Sequence, residues 1–192
     1  MKKLICLTLI CLTFLSCKKD DDNNTTGLSI GDTYQGGIIF YLDGNGGGLI
    51  AAPTDQSTSS VNWGCNITPI SGADGTAIGT GAQNTIDIEL GCTTPGTAAD
   101  ICANLTLGGY SDWFLPSKDE LNLMWTNLAD SDGDGQNTGP SDPNNLGGFS
   151  PNYYWSSTES NYVFAWRQNF NVGSQFSNYK YNFYYVRSVR AF

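Results

Sequence analysis

The chain has 192 residues, with 18 acidic and 9 basic side chains and a formal net charge of −9. This negative balance argues against nucleic acid as a partner, because polyanions bind to basic surfaces. The chain contains no histidine, which excludes Ser-His-Asp and Cys-His catalysis as well as histidine-ligated zinc.

The first 16 residues have the composition of an export signal. Two lysines precede an apolar run over residues 4–15, and Ser16 then precedes Cys17. A run of this length is too short to span a bilayer and is typical of a signal peptide. The Leu-Ser-Cys ending resembles the lipobox at which bacterial lipoproteins are cleaved and lipidated. We therefore predict a signal peptide over residues 1–16 and a diacylglycerol anchor on Cys17, with an ordinary secretory signal as the alternative.

Residues 17–27 are predicted to be the lipidated cysteine and a flexible acidic tether. Residues 18–26 are all polar and offer nothing to bury. The aspartates at 20–22 resemble the signal that sends Bacteroidota-type lipoproteins to the outer face of the outer membrane, and a plain spacer is the alternative. We expect an outer-membrane, lipid-anchored protein exposed at the cell surface. Without residues 1–16 the chain keeps 7 basic and 18 acidic residues, a net charge of −11.

Residues 28–192 have the right length for one domain with its own hydrophobic core. Beyond Cys17 this part of the chain contains three cysteines, Cys65, Cys92 and Cys102. Disulfides persist in exported proteins, so we expect one disulfide and one odd thiol. Cys92 and Cys102 would close a short loop and are the first choice for the pair, although all three pairings are open.

A β-hairpin is predicted near the start of the domain. Residues 36–42 and 49–52 are apolar, β-branched or aromatic runs separated by a glycine-rich stretch. Residues 56–91 are rich in Gly, Ser, Thr and Asn, which predicts a loop region with a short strand around Trp63.

Two helices are predicted in the middle of the domain. Residues 97–105 have apolar side chains at helical spacing and end before two glycines. Ser117 and Glu120 form a capping box, in which each side chain accepts a hydrogen bond from the other residue's backbone amide. Apolar residues follow as far as Leu128, so a second helix of about three turns begins at this box.

The last 44 residues contain 15 of the 24 aromatic residues. Over residues 162–170 and 179–185 aromatic side chains alternate with other residues, as they do in half-buried strands. A hairpin, two helices and then a set of antiparallel strands make an α+β domain.

Four motifs occur in an order that resembles one known family. They are Gly-Gly-Tyr-Ser-Asp-Trp-Phe-Leu-Pro-Ser-Lys-Asp-Glu-Leu at residues 108–121, Tyr-Trp-Ser-Ser-Thr-Glu at 154–159, Ala-Trp at 165–166 and Val-Arg-Ser-Val-Arg at 186–190. On these motifs most of residues 28–192 resembles the Lcl C-terminal domain family, long catalogued as a domain of unknown function. The resemblance implies a C-type lectin-like fold, in which two helices pack on a small twisted antiparallel sheet that carries long loops.

The same resemblance implies recognition more readily than catalysis, because the family's founding member is an adhesin whose domain binds sulfated polysaccharide. A sulfated polymer needs a basic track, and the net charge of this domain argues against that ligand. The basic residues of the domain are Lys118, Arg167, Lys180, Arg187 and Arg190.

An acidic loop follows the second predicted helix. Asp130, Asp132 and Asp134 occupy positions one, three and five with Gly135 at position six, the spacing of an EF-hand-type calcium loop. Ser141 occupies position twelve, where such loops have a bidentate glutamate. We predict the three aspartates as calcium ligands, and a solvated Asp/Gly-rich loop is the alternative.

The aromatic residues divide into two groups. Those in the family motifs or on an apolar helix face are expected to be buried: Trp113, Trp125 and Trp155. Trp166, Tyr179 and Tyr181 are the predicted ligand-binding residues, because tyrosine and tryptophan faces stack on sugar rings and on protein partners. The alternative is that these alternating aromatics form the core face of a strand.

Several charged residues are expected to be structural. Arg187 and Arg190 should pair with carboxylates such as Glu159 or Asp112 and so hold the C-terminal strand. Glu120 lies in the first turn of a helix, where capping explains a carboxylate.

These observations favour a surface-anchored lipoprotein with a non-catalytic recognition domain for glycan or protein ligands, as in adhesion. A structural envelope component without a soluble ligand is the alternative from another class. A carboxylate-based polysaccharide hydrolase is the third hypothesis, since two carboxylates can hydrolyse glycosides without histidine. The expected partners are the membrane, through the lipid anchor, and an extracellular glycan or protein. Calcium is the one cofactor that the sequence suggests.

Overall fold

The computed structural model describes residues 27–57 and 61–192. These residues form three α-helices and three small antiparallel sheets, so the predicted α+β class is confirmed. The predicted signal peptide, the lipidation site at Cys17 and nearly all of the predicted tether lie outside the described residues. Within the described part of the chain, no helix is long and apolar enough to cross a membrane.

The elements are short. In chain order the strands are β1 (Thr33–Tyr34), β2 (Gly37–Leu42), β3 (Gly48–Ala51), β4 (Val61–Asn62), β5 (Tyr153–Glu159), β6 (Phe164–Asn169), β7 (Gln175–Tyr179), β8 (Phe183–Tyr184) and β9 (Val189–Ala191). The helices are α1 (Gly81–Gly91), α2 (Ala98–Ala103) and α3 (Lys118–Met124), and a π-helical turn at Trp125–Ala129 extends α3.

A four-stranded sheet joins the two ends of the described chain. Its order is β1-β2-β3-β9, and β3 pairs with the last strand through Leu49 opposite Ala191. The predicted hairpin is confirmed, because β2 and β3 pair antiparallel.

Next to this sheet, the backbone at Gly36 passes close to the backbone at Gly108. A Cβ atom on Gly36 would lie 2.8 Å from the Cα of Gly108. Glycine is therefore needed where the two backbones meet.

The first helix was not predicted, so the expectation of two helices is wrong. The side chain of Thr80 makes no capping hydrogen bond to α1, and the buried residues of the helix are Gly81, Asn84, Thr85 and Ile88. Only one of these four is a large apolar residue, so the core-facing side of the helix does not show as an apolar stripe in the sequence. Residues 81–91 therefore have the composition of a loop although they are helical.

The two predicted helices are confirmed as α2 and α3. Thr97 caps α2 by accepting from the amide of Asp100. At α3 both hydrogen bonds of the predicted capping box are present between Ser117 and Glu120. The carboxylate of Glu120 also accepts from the amide of Gly79 at 2.7 Å, and it is fully buried. This box therefore fixes the start of α3 and also the loop that leads into α1.

The aromatic-rich end of the chain forms the other two sheets. The order β5-β6-β7 makes a three-stranded sheet in which β7 is an edge strand, while β4 pairs with β8. In β6 and β7, Phe164 lies opposite Tyr179 and Trp166 lies opposite Ser177. The predicted strands over 162–170 and around Trp63 are thus confirmed in shortened form as β6 and β4. The prediction of one strand over 179–185 is wrong, because a turn at residues 180–182 separates the end of β7 from β8.

Two of the three hydrophobic clusters in the described chain hold the helices against the sheets. One packs α3 between the four-stranded and three-stranded sheets, with Phe40, Leu121, Met124 and Tyr154 among its buried residues. The other lies around α1 and α2 and contains Trp63, Ile88, Leu115 and Trp155. Trp113 and Trp155 are buried as predicted, whereas Trp125 is only partly buried.

The disulfide joins Cys65 and Cys92, so the predicted pairing of Cys92 with Cys102 is wrong. Cys102 is free and fully buried on α2, where burial raises the pKa of its thiol to about 12. Cys92 is the C-cap residue of α1, and its sulfur faces the loop after β4. Because α1 was not predicted, the sequence could not show that the Cys92 side chain points toward Cys65.

Candidate functional site

Four aromatic side chains lie near each other on β6, β7 and the turn that follows β7. We call Phe164, Trp166, Tyr179 and Tyr181 the aromatic row. Residues two apart in a strand share a face, so Phe164 and Trp166 lie on the same side of the sheet as Tyr179, which pairs with Phe164. The ring centroids of Phe164 and Tyr179 are 4.6 Å apart. Tyr179 and Tyr181 stack with centroids 5.0 Å apart and 19° between the ring planes.

The outer end of the aromatic row is open to solvent. Tyr179 is 41% exposed and Tyr181 is 50% exposed, while Phe164 and Trp166 are partly buried. The ammonium of Lys118, at the start of α3, lies 4.2 Å from the centroid of the Trp166 ring, which is cation–π distance. The structure thus brings the three predicted ligand-binding residues together on one surface. Phe164 was missed, although it stands two positions before Trp166.

The opposite face of the same hairpin has a different chemistry. The guanidinium of Arg167 lies 3.6 Å from the ring centroid of Tyr153 and 4.7 Å from that of Tyr184. Phe176, which pairs with Arg167 in the sheet, is 57% exposed. The hairpin therefore exposes aromatic rings on both faces, and Phe176 provides a comparison for the aromatic row.

Most of the basic residues in the described chain form ion pairs with carboxylates. Arg190 binds Asp112 as predicted. Arg187 binds Asp55, and Glu159 pairs with Lys180. The other two basic side chains of the described chain, Lys118 and Arg167, lie over aromatic rings. These cations therefore form no continuous basic track.

The three predicted calcium ligands lie together at the end of the π-helical turn. One carboxylate oxygen from each of Asp130, Asp132 and Asp134 lies within 4.8 Å of the others. The amide of Gly135 donates to both carboxylate oxygens of Asp130, at 3.1 and 3.2 Å. Asp130 is buried, whereas the other two aspartates are exposed. Oxygen atoms at this separation can share one divalent cation.

The aspartate loop concentrates negative charge around Asp130. Burial raises the pKa of Asp130, and the neighbouring carboxylates of Asp134 and Asp132 raise it further, because each disfavours a further negative charge. Asp142, next to the expected position twelve, accepts instead from the amides of Asn144 and Thr138, which lower its pKa. The loop therefore has three carboxylates that could bind one cation. The carboxylate of Asp142 instead makes hydrogen bonds within the segment that follows the loop.

The aspartate loop and the aromatic row lie in different places. The backbone amide of Asn137 donates to the carbonyl of Asn171 at 3.0 Å, and its side-chain amide donates to the carbonyl of Phe170 at 2.8 Å. These contacts attach the segment after the loop to the turn of the β6–β7 hairpin. Tyr179 lies at the other end of that hairpin, so the structure does not bring the two predicted sites together.

The family model of the Lcl C-terminal domain matches residues 54–190, which include the four motifs and both candidate sites. A search of curated proteins found no match.

Proposed function

This chain belongs to the Lcl C-terminal domain family, and from that premise we propose that it is a surface-anchored lipoprotein whose domain binds glycan or protein ligands without catalysing a reaction. The observation that carries the proposal is the aromatic row, with its stacked and exposed Tyr179 and Tyr181. Tyrosine is enriched at interfaces relative to the rest of the protein surface. A C-type lectin-like arrangement of the helices, small sheets and long loops is part of the proposal.

The chemistry of the aromatic row fits a neutral sugar better than a sulfated one. Aromatic faces stack on the apolar C–H face of a sugar ring, and Trp166 and Tyr179 lie on one face of the sheet. Lys118 is the one basic side chain in contact with the row among the described residues. Three of the other four basic residues of the domain are held in ion pairs, so a sulfated polymer would find little charge to bind.

The lipid anchor on Cys17 gives the proposed binding site its location. A tether over residues 18–27 would extend the domain by at most about 35 Å from the lipid surface. Anchoring in the outer membrane with the domain at the cell surface would expose the aromatic row to extracellular glycans or proteins.

Binding on glycan and protein arrays tests this proposal. We expect the full-length, detergent-solubilised chain to bind at least one ligand, and Trp166→Ala or Tyr179→Ala to weaken that binding roughly tenfold, equivalent to about 1.4 kcal/mol. Phe176→Ala is the matched control, since it removes an exposed ring from the same strand as Tyr179 on the opposite face. Equal losses for Phe176→Ala and Tyr179→Ala would contradict the assignment to the aromatic row. A chain that binds nothing would favour a structural envelope component.

We further propose that Asp130, Asp132 and Asp134 bind calcium. We expect calcium at about 100 times its dissociation constant to stabilise the folded chain by about 2.7 kcal/mol, because it binds the folded loop and not the unfolded chain. Thermal unfolding with calcium, with magnesium and with a chelator measures the effect. Asp134→Ala, which removes the ligand oxygens at this position, should abolish the stabilisation, whereas Asp74→Ala, at an exposed aspartate elsewhere, should leave it intact. A melting temperature that is the same in calcium and chelator would refute the calcium proposal.

A further inference from the structure

A cavity of about 400 Å³ lies between α1, the end of α2 and residues 112–114. Small-molecule sites in proteins have volumes of this order. Its walls are mainly apolar and include Ala82, Ile86, Ala103, Trp113 and Phe114. The cavity lies apart from the aromatic row and from the aspartate loop, neither of which contributes a lining residue.

One side of α1 forms a wall of this cavity. The helix contributes Ala82, Thr85, Ile86, Glu89 and Leu90, which follow the spacing of a single helix face. The core-facing residues of α1 are a largely different set. Thus α1 has a second, mainly apolar face, and Ile86 and Leu90 on this face are open to solvent. Ile86 is 53% exposed and Leu90 is 78% exposed, and two large apolar side chains one turn apart at the mouth of a cavity favour an apolar ligand.

The negative charge of Glu89 beside the cavity indicates that the ligand also has a positively charged group. Glu89 has no ion-pair partner among the described residues, and its Oε1 atom is buried without a hydrogen bond. Burial raises the pKa of Glu89, and the negative charge of Asp100 raises it further. On another wall, Asp112 is already neutralised by Arg190. The uncompensated charge beside this apolar cavity is therefore the carboxylate of Glu89, which attracts a cation.

We propose that this cavity binds a small amphiphilic amine, with an aromatic or alkyl group against Trp113 and Phe114 and an ammonium group beside Glu89. The apolar walls account for the body of the ligand and Glu89 accounts for its charge. The site is independent of the proposed glycan or protein binding, because it lies on other elements.

Calorimetric titration of the full-length chain in lipid nanodiscs tests this site, since free detergent would compete for an apolar cavity. The probes are 2-phenylethylammonium, 2-phenylethanol and 3-phenylpropionate, with empty nanodiscs as the blank. We expect the ammonium to bind at least tenfold more tightly than the carboxylate. Glu89→Gln should reduce the affinity for the ammonium to that for the alcohol. Asp87→Asn is the matched control, because it removes one charge from α1 outside the cavity and should leave the preference unchanged.

A second variant tests the volume of the site. Ala103→Leu adds bulk at the cavity wall and should weaken binding of both the ammonium and the alcohol at least fivefold. Equal affinities for ammonium and carboxylate, or equal effects of Glu89→Gln and Asp87→Asn, would overturn the role of Glu89. Unchanged affinities in a folded Ala103→Leu chain would place the ligand elsewhere. If Ala103→Leu does not fold, the comparison of Glu89→Gln with Asp87→Asn still decides the proposal.

Discussion

We expect Arg187→Met to lower the free energy of unfolding by about 3–5 kcal/mol, because it removes one partner of a buried ion pair. The Arg187 side chain is only 1% exposed and binds Asp55 at 2.8 Å. Its Nη1 atom also donates to the carbonyls of Ala52 and Gly147, each at 2.9 Å. The guanidinium lies 4.2 Å from the ring centroid of Phe149. Methionine fills similar space but leaves one carboxylate and two buried carbonyls without this donor.

Urea and thermal unfolding measure this loss, and Arg167→Met is the matched control. Arg167 lies over Tyr153 and Tyr184 and has no ion pair among the described residues, so its loss should cost about 1 kcal/mol or less. Arg187→Lys should fall between the two, because a lysine keeps the charge but not the planar fork. If Arg187→Met and Arg167→Met were equally stable, the buried arginine would not have the structural role assigned to it.

The elements predicted correctly are those whose signals are local in the sequence. The capping box of Ser117 and Glu120 requires residues three apart, and the hairpin of β2 and β3 needs two apolar runs and a glycine-rich turn. Helix α1 depends on distant partners instead. The side-chain amide of Asn84 donates to the carbonyl of Gly75 and to the hydroxyl of Ser157. The buried face of α1 is therefore partly polar and depends on these tertiary contacts. For this reason the helix cannot be recognised from apolar residues at helical spacing.

The candidate site was predictable in its residue types but not in its orientation. Alternation placed Trp166 on one face of a strand, and the sequence could not show which face meets solvent. Long-range pairing was also hidden: Asp55 and Arg187 are 132 residues apart in the chain, and the sulfur of Cys92 faces Cys65 because α1 ends there. These pairings follow from how the sheets and helices pack, and no local spacing encodes them.

Lys180→Met should lower the free energy of unfolding by about 3–5 kcal/mol, for the same reason of a broken buried ion pair. The Lys180 side chain is fully buried and pairs with Glu159, and its Nζ atom also donates to the carbonyl of Thr68 at 2.8 Å. Burial lowers the pKa of Lys180, while the bond to Glu159 opposes that change. Removing the ammonium leaves the carboxylate of Glu159 with the amide of Ile70 as its remaining donor among the described residues.

A second substitution distinguishes the lost ion pair from lost packing at this position. In the double variant Glu159→Gln with Lys180→Met, no buried charge remains and the glutamine oxygen can still accept from Ile70, so we expect at least half of the lost stability to return. Lys118→Met is the matched control. Its ammonium lies over Trp166 without an ion pair in the described chain, and its loss should cost about 1 kcal/mol or less. The Nζ atom of Lys180 also lies 4.6 Å from the ring centroid of Trp63. If the double variant were as unstable as Lys180→Met alone, the loss of stability would come from packing around Trp63. The ion pair would then contribute little to the stability of the fold.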